Sequence, residues 1–500
     1  MIPIDAVPRL RVTIGGRTLS PRDEVRVLEV RVRRRLSLPA QAELVFSEPP
    51  EATIAPGAGL VIETLSPCRE LFAGDVTAVE HEFESTGGRV VRIRAYDVLH
   101  RLRKRRPLRV HVQVRASDLA AELVGDLGLT VDAEAGGPLH ERRAQCGPTD
   151  LDLLRSVTGE CGLYFDLRGD TLRLFPLSGT GDPVVLERGT SLLEARVELN
   201  LEPACRRVEA MGWNPGRAEV HRATASEPRA AREPGAATAP ACVGEDGERT
   251  CAGRVLQDAT QAEAIAQAAL DADVAREMTL RAVAVGDPDL RPGTPVEIRG
   301  LGPDLDGLFL PTAVEHVVDA RLGYVTEFST LPPAPDAAGA TSVAVGVVTA
   351  VDDPEALGRV RASLPGMGDL ETGWMAVVIP GAGPKKGCIA LPDLEDRVLV
   401  LLPDGDASRA LVLGGLYGAG GPPDAGVDGG AVRRFTFATP GGQTIRMDDA
   451  KGSIRLENKD GSWFELAPGA ATLHAATELR LEAPGQPVII RGRTVDFQQA

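Results

Sequence analysis

The fold of the carboxyl-terminal part of the chain is decided by residues 443–469, which have the sequence QTIRMDDAKGSIRLENKDGSWFELAPG. Apolar residues in this stretch and after it occur in pairs whose members lie two positions apart, and Gly, Asp and Pro residues separate the pairs. The pairs are Ile445 and Met447, Ile454 and Leu456, Phe464 and Leu466, Leu479 and Leu481, Val488 and Ile490, and Val495 and Phe497. Because side chains alternate between the two faces of a strand, this spacing predicts short strands with one apolar face each.

Strands of this kind cannot form a closed core by themselves. About 70 residues with few aromatic side chains bury too little apolar surface, and open strand edges aggregate. We therefore expect three copies of the chain to wind around one axis and to bury the first ten of these residues, from Ile445 to Ile490, in the core of an intertwined trimeric β-helix or β-prism spike at 432–500. A small monomeric β domain packed on the preceding barrel is the alternative.

Residues 343–417 predict a small closed barrel. Short apolar strands alternate there with turn residues, at 343–351, 359–364, 374–379, 388–391, 397–402 and 410–416. A linker rich in Pro and Ala precedes the barrel at 332–342, and a Gly-rich linker follows it at 418–431.

The region 1–331 predicts strands of a barrel or sandwich with helical insertions. Thr149 and Asp150 are a helix start signal before residues 151–157, and Ser117 and Asp118 stand in the same way before 119–127. Residues 258–281 have Ala and Leu at helical spacing. Residues 214–253 have almost no apolar periodicity, which predicts a long loop excursion on the surface.

The amino-acid composition disfavours several classes of function. The net charge of −16 disfavours binding to nucleic acid and to anionic membranes, and only 18 Phe, Trp and Tyr residues are available for stacking on bases or sugars. Seven cysteines include no Cys-x-x-Cys pair, so no zinc site is indicated, although Cys242 and Cys251 flank a polar loop that a disulfide could close. Without a signal peptide or an apolar run of membrane length, we expect synthesis in the cytoplasm and no stable membrane insertion.

Motifs of known catalytic sites are absent from the sequence. There is no Gly-x-Ser-x-Gly elbow and no phosphate-binding loop, and His81-Glu82 lacks the second His of a zinc-protease helix. We therefore expect no enzyme activity, no cofactor and no metal. The alternative is a β-helical, tailspike-like enzyme that degrades polysaccharides, or an adhesin.

The strongest basic run is a candidate interface of the amino-terminal region. It consists of Arg101, Arg103, Lys104, Arg105, Arg106 and Arg109. We expect contact with an acidic partner or with a neighbouring subunit. A solvated face whose charge is offset by nearby acids is the alternative.

The sequence also resembles a known family of spike proteins. The barrel resembles the oligosaccharide/oligonucleotide-binding (OB) fold of the central spike proteins of contractile phage tails and of VgrG in type VI secretion, and the region 1–331 resembles the VgrG hub. The barrel motifs are Gly346-Val347-Val348, Leu357-Gly358-Arg359-Val360-Arg361, Arg397-Val398-Leu399-Val400 and Leu413-Gly414-Gly415-Leu416-Tyr417. The hub motifs include Ala95-Tyr96-Asp97-Val98-Leu99-His100-Arg101-Leu102 and Cys161-Gly162-Leu163-Tyr164.

This resemblance implies a homotrimeric central spike with a hub of two β-barrels, an OB barrel and a β-spike. Such a protein seats the inner tube on the baseplate and punctures a target envelope when the sheath contracts. Its tip binds a cap protein with Pro-Ala-Ala-Arg (PAAR) repeats, and we expect Val495, Asp496, Phe497 and Gln498 to form that surface.

The resemblance also implies partners and a location. The expected partners are the inner tube protein, baseplate proteins and the PAAR-type cap, and a cargo effector is compatible with them. The spike stretch is short and ends at Ala500. It therefore looks most like the spike of an extracellular phage-tail-like particle, whether anchored or released, which penetrates its target only transiently.

Overall fold

The computed structural model describes residues 10–498 apart from 52–53, 84, 86, 232–239, 245–246 and 335–339. Parts of the predicted linker and of the predicted excursion therefore lie outside the described residues, as does the side chain of Cys242, and Cys251 has a free thiol. The structure is mainly β, with 44% strand and 15% helix, which confirms the predicted fold class. The chain divides into two compact units, unit 1 up to Gly415 and unit 2 from Leu416.

The first strands of unit 1 belong to an 11-stranded sheet. The elements are β1 (Leu10–Ile14), β2 (Arg17–Thr18), helix α1 (Pro21–Arg26), β3 (Val27–Arg35), β4 (Gln41–Phe46), β5 (Gly59–Leu65), β6 (Cys68–Phe83) and β7 (Arg89–Tyr96). Every second residue of these strands points to one core, where Val32, Leu44 and Ile93 are fully buried.

A helical insertion follows. Its elements are β8 (Arg109–Val114), α2 (Ala116–Val124), β9 (Thr130–Ala133), β10 (His140–Gln145), α3 (Asp150–Glu160), β11 (Tyr164–Arg168) and β12 (Thr171–Phe175). Both predicted helices are present. Helix α3 begins where the sequence predicts, because the Thr149 hydroxyl accepts a hydrogen bond from the Asp152 N–H and the Asp152 carboxylate accepts one from the Thr149 N–H. Strands β8 and β10 pair as a separate two-stranded sheet.

The next segment completes the large sheet. Its elements are β13 (Val184–Glu187), β14 (Leu192–Leu199), β15 (Arg207–Asn214), β16 (Glu219–Ala225), β17 (Glu248–Val255), α4 (Ala259–Glu277), β18 (Met278–Val285), β19 (Val296–Arg299), β20 (Gly307–Phe309), β21 (Ala313–Asp319) and β22 (Gly323–Ser329). The strand order of the large sheet is β14-β18-β22-β21-β3-β4-β7-β6-β5-β1-β2.

Two predictions for this segment are wrong in part. The predicted excursion at 214–253 contains β16 and β17, which pair with β15 on its two sides. Their inward positions include the small residues Ala223 and Ala225, which pack in one cluster with residues of α4 and produce no clear apolar period. Helix α4 ends at Glu277 rather than at Arg281, because β18 pairs with β14 and β22 from Met278 onward.

The last part of unit 1 is the OB barrel. Its strands are β23 (Ser342–Ala350), β24 (Arg361–Leu364), β25 (Leu370–Glu371), β26 (Ala382–Gly383), β27 (Lys386–Gly387), β28 (Arg397–Leu402) and β29 (Leu411–Gly415). Five of them form a sheet in the order β25-β24-β23-β28-β29. Bridges from Val360 to Met375 and from Val377 to Val412 connect its two sides and close the barrel. The predicted strand at 388–391 is wrong, because no strand described in this chain lies beside it.

Unit 2 is an antiparallel meander. Its strands are β30 (Val427–Asp428), β31 (Ala431–Val432), β32 (Arg434–Ala438), β33 (Thr444–Asp448), β34 (Ser453–Glu457), β35 (Trp463–Ala467) and β36 (Ala470–His474). Strands β32 to β36 pair in sequence order. The first three predicted apolar pairs lie in β33, β34 and β35, and the last three lie at 479–497, outside any assigned strand.

Short 3-10 helices connect several elements of both units. They lie at Val98–Lys104, Gly125–Leu127, Pro240–Val243, Pro365–Met367, Pro403–Gly405, Ala407–Arg409 and Gly418–Gly420.

Candidate assembly surfaces

An ionic cluster of Arg143, Glu160, Asp406 and Arg409 connects the helical insertion of unit 1 to the OB barrel. Arg143 on β10 donates to Glu160 at 2.9 Å and to Asp406 at 3.3 Å. Arg409 lies 3.6 Å from the Glu160 carboxylate and 3.5 Å from that of Asp406. Val110 and Ala144, from β8 and β10, pack against the barrel core beside the cluster. The insertion and the barrel are therefore held together by both ionic and apolar contacts.

The charges of this ionic cluster stabilise one another. Burial by itself would raise the pKa of Glu160, but the positive charges of Arg143 and Arg409 lower this pKa to about 2. The pKa of Arg143 is raised above its ordinary value, since Glu160 and Asp406 outweigh the effect of its burial. Glu160 and Arg143 consequently keep their charges at neutral pH.

Asp353 fixes the loop before β24 in the OB barrel. Its carboxylate accepts hydrogen bonds from the Arg359 guanidinium at 2.7 and 2.9 Å, and from the backbone N–H groups of Glu355 and Leu357. The Arg359 bonds hold the pKa of Asp353 well below its usual range. The Leu357-Gly358-Arg359 motif thus has a structural role here, because it completes a buried ion pair.

The sheet of unit 2 has one apolar face, which we call the apolar sheet face. Cross-strand neighbours place Phe437 beside Ile445, Ile445 beside Leu456, and Leu456 beside Phe464. The full set is Phe435, Phe437, Ile445, Met447, Ile454, Leu456, Phe464, Leu466 and Leu473, and each side chain is between 36% and 60% exposed. Nothing in the described part of unit 2 covers this face.

The opposite face of the same sheet is charged, and its arginines pair with acidic residues of unit 2. Asp424 accepts hydrogen bonds from Arg434 and Thr436 and lies 3.7 Å from Arg446. Arg455 pairs with Glu457 at 3.0 Å and lies over the Trp463 ring, 4.5 Å from its centroid. The two faces of the sheet therefore differ sharply in polarity.

The predicted spike core is only partly brought together within one chain. Six of its ten residues, those on β33, β34 and β35, lie on the apolar sheet face. The other four, Leu479, Leu481, Val488 and Ile490, are exposed in a segment that pairs with no strand among the described residues.

The predicted tip residues lie in the same unpaired segment. Phe497 is 87% exposed and Val495 is also exposed. Gln498 donates to the Asp496 carboxylate at 2.7 Å. The four residues thus expose one aromatic, one aliphatic and two polar side chains.

About half of the residues in the predicted basic run form ion pairs with acidic residues of the same chain. Arg101 pairs with Asp75 at 2.7 Å, Arg105 with Asp126 at 2.8 Å, and Arg109 with Asp150 at 3.0 Å. Arg103 lies over the ring of Tyr96, and Arg106 and Lys104 are exposed. A contact with an acidic partner stays a prediction, and its available charges are those of Arg103, Lys104 and Arg106.

An exposed arm at 378–396 projects from the OB barrel. Ile389 is 82% exposed, and Val378, Leu391 and Leu394 are exposed as well. The arm contains only the short hairpin of β26 and β27. Four large aliphatic side chains of this arm are therefore open to solvent in one chain.

Two family models match the chain. A model described as the type VI secretion system/phage-baseplate injector OB domain matches residues 344–417. A model described as the Alg8 N-terminal domain matches residues 7–320, which is more than half of the chain. The chain belongs to the Alg8 N-terminal domain family. No curated protein matches its sequence.

Solved structures similar to this Alg8-family chain come from phage tails and type VI secretion. The Escherichia coli c3393 protein, titled a type VI secretion component similar to T4 tail proteins gp27 and gp5, is 14% identical with a TM-score of 0.52, over 78% of this chain and 96% of that one. The half-lidded Francisella PdpA-VgrG complex is 8% identical with a TM-score of 0.54, and the match covers 93% of this chain and 88% of that one. The Shewanella oneidensis prophage MuSo2 43 kDa tail protein is 13% identical with a TM-score of 0.50, and the match covers 64% of this chain and 98% of that one. These similarities confirm the predicted VgrG-like fold.

The described residues of this Alg8-family chain contain no group of three or more His, Cys, Asp or Glu side chains that could hold a metal ion. No helix in the described residues is long and apolar enough to cross a membrane. Sequence reasoning missed the ionic cluster and the exposed arm. The Ile389-Ala390-Leu391 stretch could have indicated the arm, whereas nothing in the sequence pairs Arg143 with Asp406.

Proposed function

We propose that this chain is the structural central spike of a contractile injection machine and acts as a homotrimer. The observation that carries the proposal is the apolar sheet face, a continuous five-stranded apolar surface that no described residue of unit 2 covers. Burying the exposed part of each large side chain contributes on the order of 1 kcal/mol, so nine such residues favour association strongly. The VgrG-like fold and the baseplate OB family match support the same role.

Three copies account for the surfaces better than one. The apolar sheet face can line a threefold axis while the paired charges of Arg434, Arg446 and Arg455 stay in water. The unpaired segment at 479–498 then gains strand partners from neighbouring chains, and the arm around Ile389 gains a cover. Under this proposal the chain comprises a hub at 1–331, an OB barrel at 343–417 and a spike at 432–500.

A trimeric spike suits mechanical work. Interwound strands have no free edges, and local fraying of one chain is opposed by its two neighbours, so the spike resists unfolding under load. Contraction of the sheath would drive it through the target envelope. The ionic cluster supports this role, because it links the helical insertion to the OB barrel in the path of the force.

Partners follow from the two ends of such a particle. At the tip, Val495, Asp496, Phe497 and Gln498 offer an exposed surface for a PAAR-type cap protein. At the hub, Arg103, Lys104 and Arg106 are available for acidic baseplate proteins, and the hub would seat the inner tube. The similarity to a PdpA-VgrG complex supports binding of a further protein as cargo. The chain would be made in the cytoplasm and assembled into a phage-tail-like particle.

An enzymatic spike has less support. A polysaccharide-degrading enzyme needs aromatic platforms for sugar rings, and Trp463 is contacted by Arg455 from β34 and by His474 from β36, the strands on either side of it. A sugar-release assay on the purified chain should give no turnover, and clear turnover would favour the tailspike alternative.

Electron microscopy of the purified chain tests the proposal. Class averages viewed down the long axis should have threefold symmetry and side views should contain a narrow spike. Averages without rotational symmetry would overturn it.

A further inference from the structure

The edge strand β14 of the large sheet has an open hydrogen-bonding edge. It pairs with β18 on one side and is the last strand in the sheet order. Apart from its pairing with β18, residues 193–199 form no backbone hydrogen bond with any other described residue. No proline interrupts the strand, and its bulge lies between Leu192 and Glu194, so residues 195–199 remain regular. An extended segment can therefore pair with this edge.

The outward face of the sheet beside this edge holds an unbalanced row of cations. Arg196 on β14 lies directly opposite Arg281 on β18, and Arg281 lies opposite Ser329 on β22. Ser329 is followed across the sheet by Ala313 on β21 and Arg35 on β3. Arg196, Arg281 and Arg35 are exposed, and none of them forms an ion pair with a described residue. Like charges directly opposite each other destabilise a sheet, so this pair favours an anion at the site.

A cavity of about 410 Å³ lies over this row. The small side chains of Ala313 and Ser329 leave space between Arg281 and Arg35, and all four residues line the cavity. Glu315 lines it too, but Arg31 and Arg33 each pair with Glu315 at 3.0 Å. Glu194 and Glu327 also line the cavity, so that five arginines stand against three glutamates and the excess charge is positive. The cavity wall therefore has room and positive charge for a carboxylate.

The other flank of β14 carries mostly aliphatic side chains. A second cavity of about 400 Å³ is lined by Leu193, Val197, Leu301 and Leu305, together with Arg188. Arg196 lines only the first cavity and Val197 only the second, and consecutive side chains of a strand point to opposite faces, so one cavity lies on each face of β14. Because side chains of an added strand alternate between the two flanks, one set would meet cations and the other set leucines.

We propose that β14 binds an extended segment of a partner protein, which adds to the sheet as a further strand. In this segment, apolar residues alternate with an acidic residue. The apolar residues enter the cavity lined by Leu193 and Leu301, and the acidic residue faces Arg196 and Arg281. Backbone hydrogen bonds supply affinity and the two cavities supply specificity. A protein segment fits better than nucleic acid, since the whole chain has a net charge of −16 and Glu194 and Glu327 border the site.

A labelled heptapeptide tests the proposal with the full-length chain. The probe is Val-Thr-Val-Glu-Val-Thr-Val, and its matched control has Lys in place of Glu. We expect the Glu peptide to bind and the Lys peptide to bind at least about ten-fold more weakly in fluorescence anisotropy. A Glu peptide with N-methyl groups on alternate residues should not bind, because it lacks the donors for strand pairing. Equal binding of the three peptides, or no binding of the Glu peptide, would overturn the proposal.

The variant Arg196→Glu tests the site itself. This substitution replaces a repulsive Arg–Arg neighbour pair by an attractive Glu–Arg pair, so the thermal midpoint should not fall, yet affinity for the Glu peptide should drop about ten-fold or more. Arg222→Glu, on the exposed edge strand β16, is the matched control and should leave affinity unchanged. Equal affinity of both variants would contradict the proposal. A changed oligomeric mass of Arg196→Glu would instead assign this edge to a second copy of the chain.

Discussion

Arg143 and Asp406 form an ion pair of 3.3 Å, with both side chains at most 10% exposed, although they lie 263 residues apart in sequence. The pair joins the β10 strand of the helical insertion to the OB barrel, and Glu160 and Arg409 complete the ionic cluster. Specific side chains consequently attach the OB barrel to the helical insertion, and both belong to unit 1.

Glu160→Gln should destabilise unit 1 substantially. The substitution removes one acidic partner from both Arg143 and Arg409, and breaking a buried ionic pair costs about 3–5 kcal/mol. Chemical denaturation should therefore give a free energy of unfolding about 3 kcal/mol lower than that of the wild type. Glu141→Gln, at an exposed position of β10, the strand that carries Arg143, should have no measurable effect. Equal stability of both variants would mean that the ionic cluster contributes little.

The same cluster predicts a pH dependence of stability. The pKa of Glu160 is about 2 in the folded chain and ordinarily 4.5. A carboxyl group whose pKa is lowered by folding stabilises the protein fully above its unfolded pKa, and this contribution is lost as the pH falls toward the folded pKa. Between pH 4.5 and 2, the wild-type thermal midpoint should therefore fall more steeply than that of Glu160→Gln. Parallel curves would contradict the lowered pKa.

Leu456→Asp should prevent association of unit 2. Leu456 lies on β34, the middle strand of the apolar sheet face, and a trimer would have to bury three unpaired carboxylates there at a cost of several kcal/mol. Light scattering should give the mass of a single chain at micromolar concentration. Thr472→Asp, on the opposite face of the same sheet, should remain associated. An associated Leu456→Asp variant would show that copies meet elsewhere.

Phe497→Asp should abolish recruitment of a PAAR-type cap protein and leave the oligomer intact. The ring is almost fully exposed, so its loss removes a contact surface without disturbing a core. A pull-down with the purified cap protein measures this. Thr494→Asp adds the same charge to the same segment and should bind normally. Normal cap binding by Phe497→Asp would contradict the assignment of the cap-binding tip.

The unit 2 strands illustrate what sequence patterns can and cannot predict. Ile454 and Leu456 indicated β34, because the two-residue period follows directly from strand geometry. Val488 and Ile490 have the same period, yet they form no assigned strand in one chain. A period indicates which residues can share a strand face, whereas a strand also needs a partner for its backbone.

Other features depended on tertiary contacts that the sequence does not encode locally. Strands β16 and β17 escaped prediction because Ala223 and Ala225 give little apolar contrast, and their order depends on β15 and α4. The basic run was visible in the sequence, but Asp75 and Asp150, which neutralise Arg101 and Arg109, come from other elements.

The mass of the full-length chain in solution tests the central claim most directly. Size-exclusion chromatography with light scattering at micromolar concentration should give three times the 52.7 kDa of one chain, because only association covers the apolar sheet face. A stable monomer of 52.7 kDa would contradict the trimeric spike.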